Sequence, residues 1–133
     1  MRGIDLSNYT ILVVDDDEIN RTVIRHMLKG LSSSVAMAEN GSLAMKYLND
    51  HINQEIILLL DINMPVMDGY EVIRRIRDNK NTYPKVKTIV LSANDQSGFV
   101  ASGLGNEVCA YLQKPIDKEV LINKIAMASV SNN

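Results

Sequence analysis

A doubly wound α/β fold, five parallel strands with helices on both faces, is what this sequence predicts. Three observations carry that expectation: short apolar, largely β-branched runs recur along the chain, several stop abruptly at a charged or hydroxyl residue, and the segments between them have helical rather than alternating periodicity. Each parallel crossover must bury apolar surface against the sheet, and ligands of such sheets bind outside the carboxyl ends of the strands.

Thr10 to Val14 is the first strand, ending in Asp15, Asp16 and Asp17, of which Asp17 reads as a helix N-cap. From Ile19 the apolar positions Ile19, Val23, Ile24, Met27, Leu28 and Leu31 mark one helical face, with Gly30 near its end as a C-terminal glycine. Ser34 to Ala38 is a weak second strand. Asn40 to Asn49 is a second helix with Leu43, Ala44, Tyr47 and Leu48 on one side. Asn40-Gly41 resembles a hairpin turn, but the helical period after it makes Asn40 an N-cap. Ile56 to Leu60 is uninterrupted apolar, as a central strand covered on both faces should be, and ends in Asp61. A third helix follows over roughly Val66 to Asp78, with Tyr70, Ile73 and Ile76 inward and Arg74, Arg75 and Arg77 outward. Val86 to Leu91 is the fourth strand, ending at Ser92. Over Asn94 to Asn106, Gly98, Gly103 and Gly105 weaken any helix. Cys109 to Gln113 is a short fifth strand before Lys114-Pro115, with Cys109 expected to pack as a small hydrophobe. Asp117 to Ala128 is a last amphipathic helix with Leu121, Ile122, Ile125 and Ala128 inward, and Ser129 to Asn133 is a polar, frayed tail.

Composition narrows the function classes. With 133 residues, 46% of them hydrophobic, the chain suits a single domain over 1–133 whose core spans about 9–128. Fourteen basic against 16 acidic residues give a net charge of −2, so direct nucleic-acid binding is not expected. The longest uncharged apolar run, Ile56 to Leu60, is far too short to enter a membrane as a span, and Met1 to Asp5 lacks the apolar region of a signal peptide. One cysteine excludes an internal disulfide. These features together suggest a cytoplasmic domain.

The strand ends bring Asp15, Asp16, Asp61, Ser92 and Lys114 to one edge of the sheet. Carboxylates packed closely repel one another, and such a cluster persists most easily around a hard cation, with Mg²⁺ the economical candidate. Nothing matches GxxxxGK[ST], so the site is expected to handle a phosphoryl group rather than a nucleotide. A hydroxyl at Ser92 and an ammonium at Lys114 suit phosphoryl oxygens, and phosphoryl transfer needs mainly positioning and charge neutralisation.

The motifs ILVVDDDEIN, LLLDINMPVMDGYE, IVLSAN and AYLQKPID, in this order and at strand ends, resemble the receiver domain of response regulators in two-component and phosphorelay signalling, from about Tyr9 to Ala128. The resemblance implies a flavodoxin-like (βα)₅ sheet in the order 2-1-3-4-5. It implies that Asp61 accepts a phosphoryl group from a phosphohistidine on a histidine kinase or a histidine phosphotransfer protein. Asp16, Asp61 and the backbone carbonyl of Asn63 would ligate Mg²⁺, or Mn²⁺ in its place, with Asp15 acting largely through metal-bound water. Lys114 would pair with Asp61 before transfer and with the phosphoryl oxygens afterwards. Ser92 would then swing in, Tyr111 would follow as the switch residue, and the face formed by the fourth helix, fifth strand and fifth helix would meet a downstream protein or a second phosphorylated copy. The Lys114–Pro115 bond would be cis. Asn106 and Glu107 stand where family members often carry Ala-Gly.

His26 and His51 lie on helices away from the acidic edge and lack the surroundings of a phosphodonor. An aspartyl phosphohydrolase is the alternative enzyme reading, but it needs a second Asp two residues after the nucleophile, where Asn63 stands. A degenerate receiver that only binds protein is the third reading, although the acidic and basic positions such domains lose are present. No DNA-binding helix-turn-helix follows the last helix. The leader and polar end fit a receiver excised from a hybrid kinase better than a stand-alone regulator.

Overall fold

The computed structural model describes residues 6–31 and 33–130. Strands β1 (Tyr9–Val14), β2 (Ser34–Ala38), β3 (Glu55–Asp61), β4 (Val86–Ser92) and β5 (Ala110–Gln113) form one parallel sheet in the order β2-β1-β3-β4-β5. Helices α1 (Glu18–Met27), α2 (Gly41–Asp50), α3 (Gly69–Asp78), α4 (Ser97–Ala101) and α5 (Lys118–Ser129) alternate with them, and a 3₁₀ turn at Gly105–Glu107 precedes β5. The flavodoxin-like architecture expected from the motifs is therefore present.

The pleat of β3 explains why its sequence is apolar throughout. Ile56, Leu58 and Leu60 pack into one core with α2 and α3, while Ile57 and Leu59 pack into the other with Ile24, Leu121 and Ile125. All five strand residues are fully buried. The N-caps fall at Asp17, Asn40, Asp68 and Asp117, whose side chains accept backbone N–H groups of the first turn.

Several expectations need correction. On α1, Ile19 and Val23 are exposed, because they lie roughly 140° and 100° around the helix from Ile24 and so miss the buried stripe. The helix stops at Met27, and Gly30 takes a positive φ of 94° in the turn that follows. On α2, Leu43 is exposed while Met45 and Gly41 are buried. Helix α3 starts at Gly69, not Val66, because Val66 has a φ of +73° and Asp68 caps the first turn. Its buried face centres on Val72 and Ile73, with Tyr70, Arg74 and Ile76 half-buried. Cys109 is exposed rather than packed, since it precedes the edge strand in a surface groove that Lys87, Lys124 and Met127 also line, although its N–H reaches Thr88 O at 2.7 Å. Ser129 closes α5 instead of fraying: Tyr9 Oη donates to its carbonyl at 2.9 Å, and Lys87 Nζ to that of Ala128 at 2.9 Å. The readings of Met1 to Asp5 and of 131–133 lie outside the described residues. Among the described residues no helix is long and apolar enough to cross a membrane.

Candidate functional site: an acidic edge

Strand pairing places the candidate residues. The register Val14↔Leu60 sets Asp15 beside Asp61, and Asp61↔Leu91 brings Ser92 to the same edge. This edge lies at the carboxyl ends of β1 and β3, where the chain winds in opposite directions to β2 and to β4. One ligand oxygen each of Asp15, Asp16 and Asp61 lies within 4.8 Å of the others.

Asp15 and Asp61 are buried, at 1% and 6% exposure, whereas Asp16 faces solvent. Asp15 is held by its neighbours: Oδ1 accepts from Asp17 N–H at 2.9 Å and Oδ2 from Lys114 Nζ at 3.0 Å. Lys114 lies 3.7 Å from Asp61 Oδ2, so the ammonium bridges both buried carboxylates but sits nearer Asp15. Asp61 Oδ1 accepts a long bond from Asn63 N–H at 3.3 Å. Burial pushes the Asp61 carboxyl up from 3.8 to about 6; Lys114 and the Asn63 amide pull it down, and the charges of Asp15 and Asp16 add to the rise. Two buried acids and a third at the rim outnumber the one ammonium, and all their donor atoms are hard oxygens. Such a set fits a divalent cation of the Mg²⁺ type.

Ser92, 1% exposed, closes β4; its Oγ accepts from Asn94 N–H at 3.2 Å, and its carbonyl accepts from Lys114 N–H at 2.6 Å. The Lys114–Pro115 peptide is cis. Tyr111 stands apart from the carboxylates. Its hydroxyl donates to the carbonyls of Asn94 (2.9 Å) and Asp95 (3.0 Å), and its ring tilts against Phe99, which stacks on Tyr70. The chain of contacts Ser92–Asn94–Tyr111 thus links the acidic edge to α4 and β5. His26 is exposed on α1, and His51 stacks on Tyr47 at the end of α2.

Two contributors escaped the sequence reading. The Arg21 guanidinium donates to the Asp15 carbonyl, a role that one arginine in a helix does not advertise. Gly69 N–H closes the β3–α3 loop on Ile62 O at 2.9 Å, where a Cβ would meet the Asp61 carbonyl at 2.6 Å. Neither the helix start at Gly69 nor this close approach is read from the sequence, which puts the helix start at about Val66.

A parallel five-stranded sheet with an acid triad and a lysine at its switch point defines a phosphorelay-type signalling module. The chain belongs to the response regulator receiver domain family, whose pattern matches residues 11–126. It is 39% identical over 115 residues to a two-component response regulator of Oryza sativa subsp. japonica, covering 84% of this chain and 87% of that protein. It is 31% identical over 124 residues to hybrid signal transduction histidine kinase A of Dictyostelium discoideum, covering 92% of this chain but only 6% of that kinase. Among solved structures it resembles the receiver domain of a sensor histidine kinase from Pseudomonas aeruginosa PAO1, which has a magnesium ion coordinated in its active-site cleft. There the TM-score is 0.78 and the identity 30%, over 92% of this chain and 98% of that one. A CheY-like receiver domain protein from Methanospirillum hungatei matches with a TM-score of 0.74 and 30% identity, over 90% and 93% of the two chains. Receiver domains bind Mg²⁺ at an acidic site, interact with histidine kinases or phosphotransfer proteins, and are generally not enzymes in the turnover sense.

Proposed function

We propose that this chain is a phosphoacceptor switch in which Asp61 takes a phosphoryl group from a phosphohistidine donor. The observation that carries the reading is one buried carboxylate, Asp61, at the end of the central strand, grouped with Asp15 and Asp16 and 3.7 Å from Lys114. An Asp61 carboxylate oxygen attacks phosphorus, the P–N bond to the donor imidazole breaks, and the imidazole leaves with the bonding electrons and takes up a proton. The product is an acyl phosphate on Asp61. With its carboxyl raised only to about 6, Asp61 is mostly ionised at neutral pH and available for attack.

Mg²⁺ bound by Asp16, Asp61, the Asn63 carbonyl and, largely through water, Asp15 would supply charge neutralisation for the phosphoryl oxygens. Lys114 moves its contact from carboxylate to phosphoryl oxygen. Ser92 gives up Asn94 N–H and donates its hydroxyl to the phosphoryl group. That exchange frees the Asn94 carbonyl from the geometry holding Tyr111, which turns inward and reshapes the α4–β5–α5 face for a downstream protein or a second phosphorylated copy. Residues 9–128 act as one module in the cytoplasm, reacting once per donor.

The test is intact mass after incubation with acetyl phosphate. The expected result is a gain of one phosphate that needs Mg²⁺ and is absent in Asp61→Asn. A wild-type mass left unchanged, under conditions that label another receiver, overturns the reading.

A further inference from the structure

Asn40-Gly41 looks like turn chemistry in the sequence, yet Gly41 begins α2 and is buried. A Cβ there would lie 2.5 Å from Met67 O, 2.8 Å from Val72 Cγ2 and 2.9 Å from Met67 Cβ. The nearest of these atoms is backbone, and Val72 is fully buried in α3, so neither yields easily. The start of α2 is therefore in direct contact with the loop that joins β3 to α3.

That loop, 62–68, carries Asn63 at one end and Met67 at the other. Its base is closed by Gly69 N–H on Ile62 O at 2.9 Å, and its tip is a three-residue turn in which Met67 N–H reaches Pro65 O at 2.8 Å across Val66. Val66 holds a φ of +73° there, a conformation that a β-branched residue rarely takes without support from its surroundings. The Met67 carbonyl leaning on Gly41 supplies such support. Upstream, Asn63 N–H holds Asp61 Oδ1 at 3.3 Å.

We propose that Gly41 is a positioning residue for the phosphoacceptor loop: its missing side chain seats the Met67 carbonyl against α2 and thereby fixes the Asp61–Asn63 segment. For the metal the inference rests on the site reading above. Helix propensity alone predicts the opposite sign, because alanine is favoured over glycine in a helical turn. The close contacts with Met67 and with the buried Val72 make Gly41→Ala harmful, and the Met67 carbonyl is the nearest of them.

The experiment compares Gly41→Ala with Ile125→Val, a core change on α5 away from the loop. Backbone amide resonances are recorded without metal, and Mg²⁺ binding is followed by calorimetry. The expected result is displaced amide resonances at Asp61, Asn63 and Met67 and a Mg²⁺ dissociation constant raised about tenfold in Gly41→Ala, with neither change in Ile125→Val. Unmoved amides in a folded Gly41→Ala, or a dissociation constant within about twofold of wild type, overturn the proposal. If the wild type takes up no Mg²⁺, the site reading fails separately, and the metal-free amides decide the role of Gly41. Should Gly41→Ala not fold, Gly41→Ala with Val66→Gly, which lets the turn yield, is measured by the same criteria.

Discussion

The centre and the flank of this sheet are built on different terms. At the centre, β1 and β3 are covered on both faces, and the carboxylates of Asp15 and Asp61 emerge from strands whose apolar residues have almost no exposure. At the flank, β5 has four residues, three half-buried and one exposed, α4 has five, and Val100 and Cys109 face solvent. The two buried carboxylates, Asp15 and Asp61, stand at the covered centre. Tyr111, whose hydroxyl holds the Asn94 and Asp95 carbonyls in the loop after β4, stands on the lightly packed flank. Ser92 and Lys114 lie between. The contrast is what the proposed phosphoacceptor switch requires: a well-packed base fixes the acids, while few buried contacts leave the flank free to rearrange.

The largest consequence is in stability. Leu59→Ala, which opens a cavity in the central strand, is expected to cost about 3 kcal/mol, against less than about 0.5 kcal/mol for Val100→Ala on α4. Urea unfolding of both variants measures the contrast, and equal losses would remove it. Lys114→Ala is next. It leaves two buried carboxylates facing each other, with an expected loss of about 1–2 kcal/mol at pH 8, since the ammonium is partly exposed and screened. The loss should shrink at pH 5, where Asp61 is protonated.

Asp61 itself gives the smallest effect, and its sign is opposite. Its folded value of about 6 exceeds the ordinary 3.8, so the native state binds the proton more tightly than the unfolded chain. Stability of the metal-free protein should therefore fall as pH rises from about 4 to about 6. Asp61→Asn should remove that slope and raise metal-free stability at pH 7 by about 1 kcal/mol once screening is allowed for. Thermal melting across that pH range checks both statements.

The sequence made the centre legible and the flank much less so. An uninterrupted IILLL ending in Asp has few readings other than a covered strand with a charge at its end, and four such ends in order located Asp15, Asp61, Ser92 and Lys114. Features that depend on what lies opposite were not visible. Ile19 and Val23 look like core by spacing but fall outside the buried stripe, and Cys109 looks like core by type but lies in a surface groove beside the edge strand, with Lys87, Lys124 and Met127. The positive φ of Val66 and the seat of Met67 on Gly41 are tertiary contacts between segments more than 20 residues apart, which local propensity does not encode.

The most direct test of the division between centre and flank is amide hydrogen exchange, compared between the free protein and the protein phosphorylated with acetyl phosphate and Mg²⁺. Altered protection is expected over 94–113, with β1 and the buried residues of β3 unchanged. Changes of equal size in β1 and β3, or none over 94–113 in fully phosphorylated protein, would contradict it.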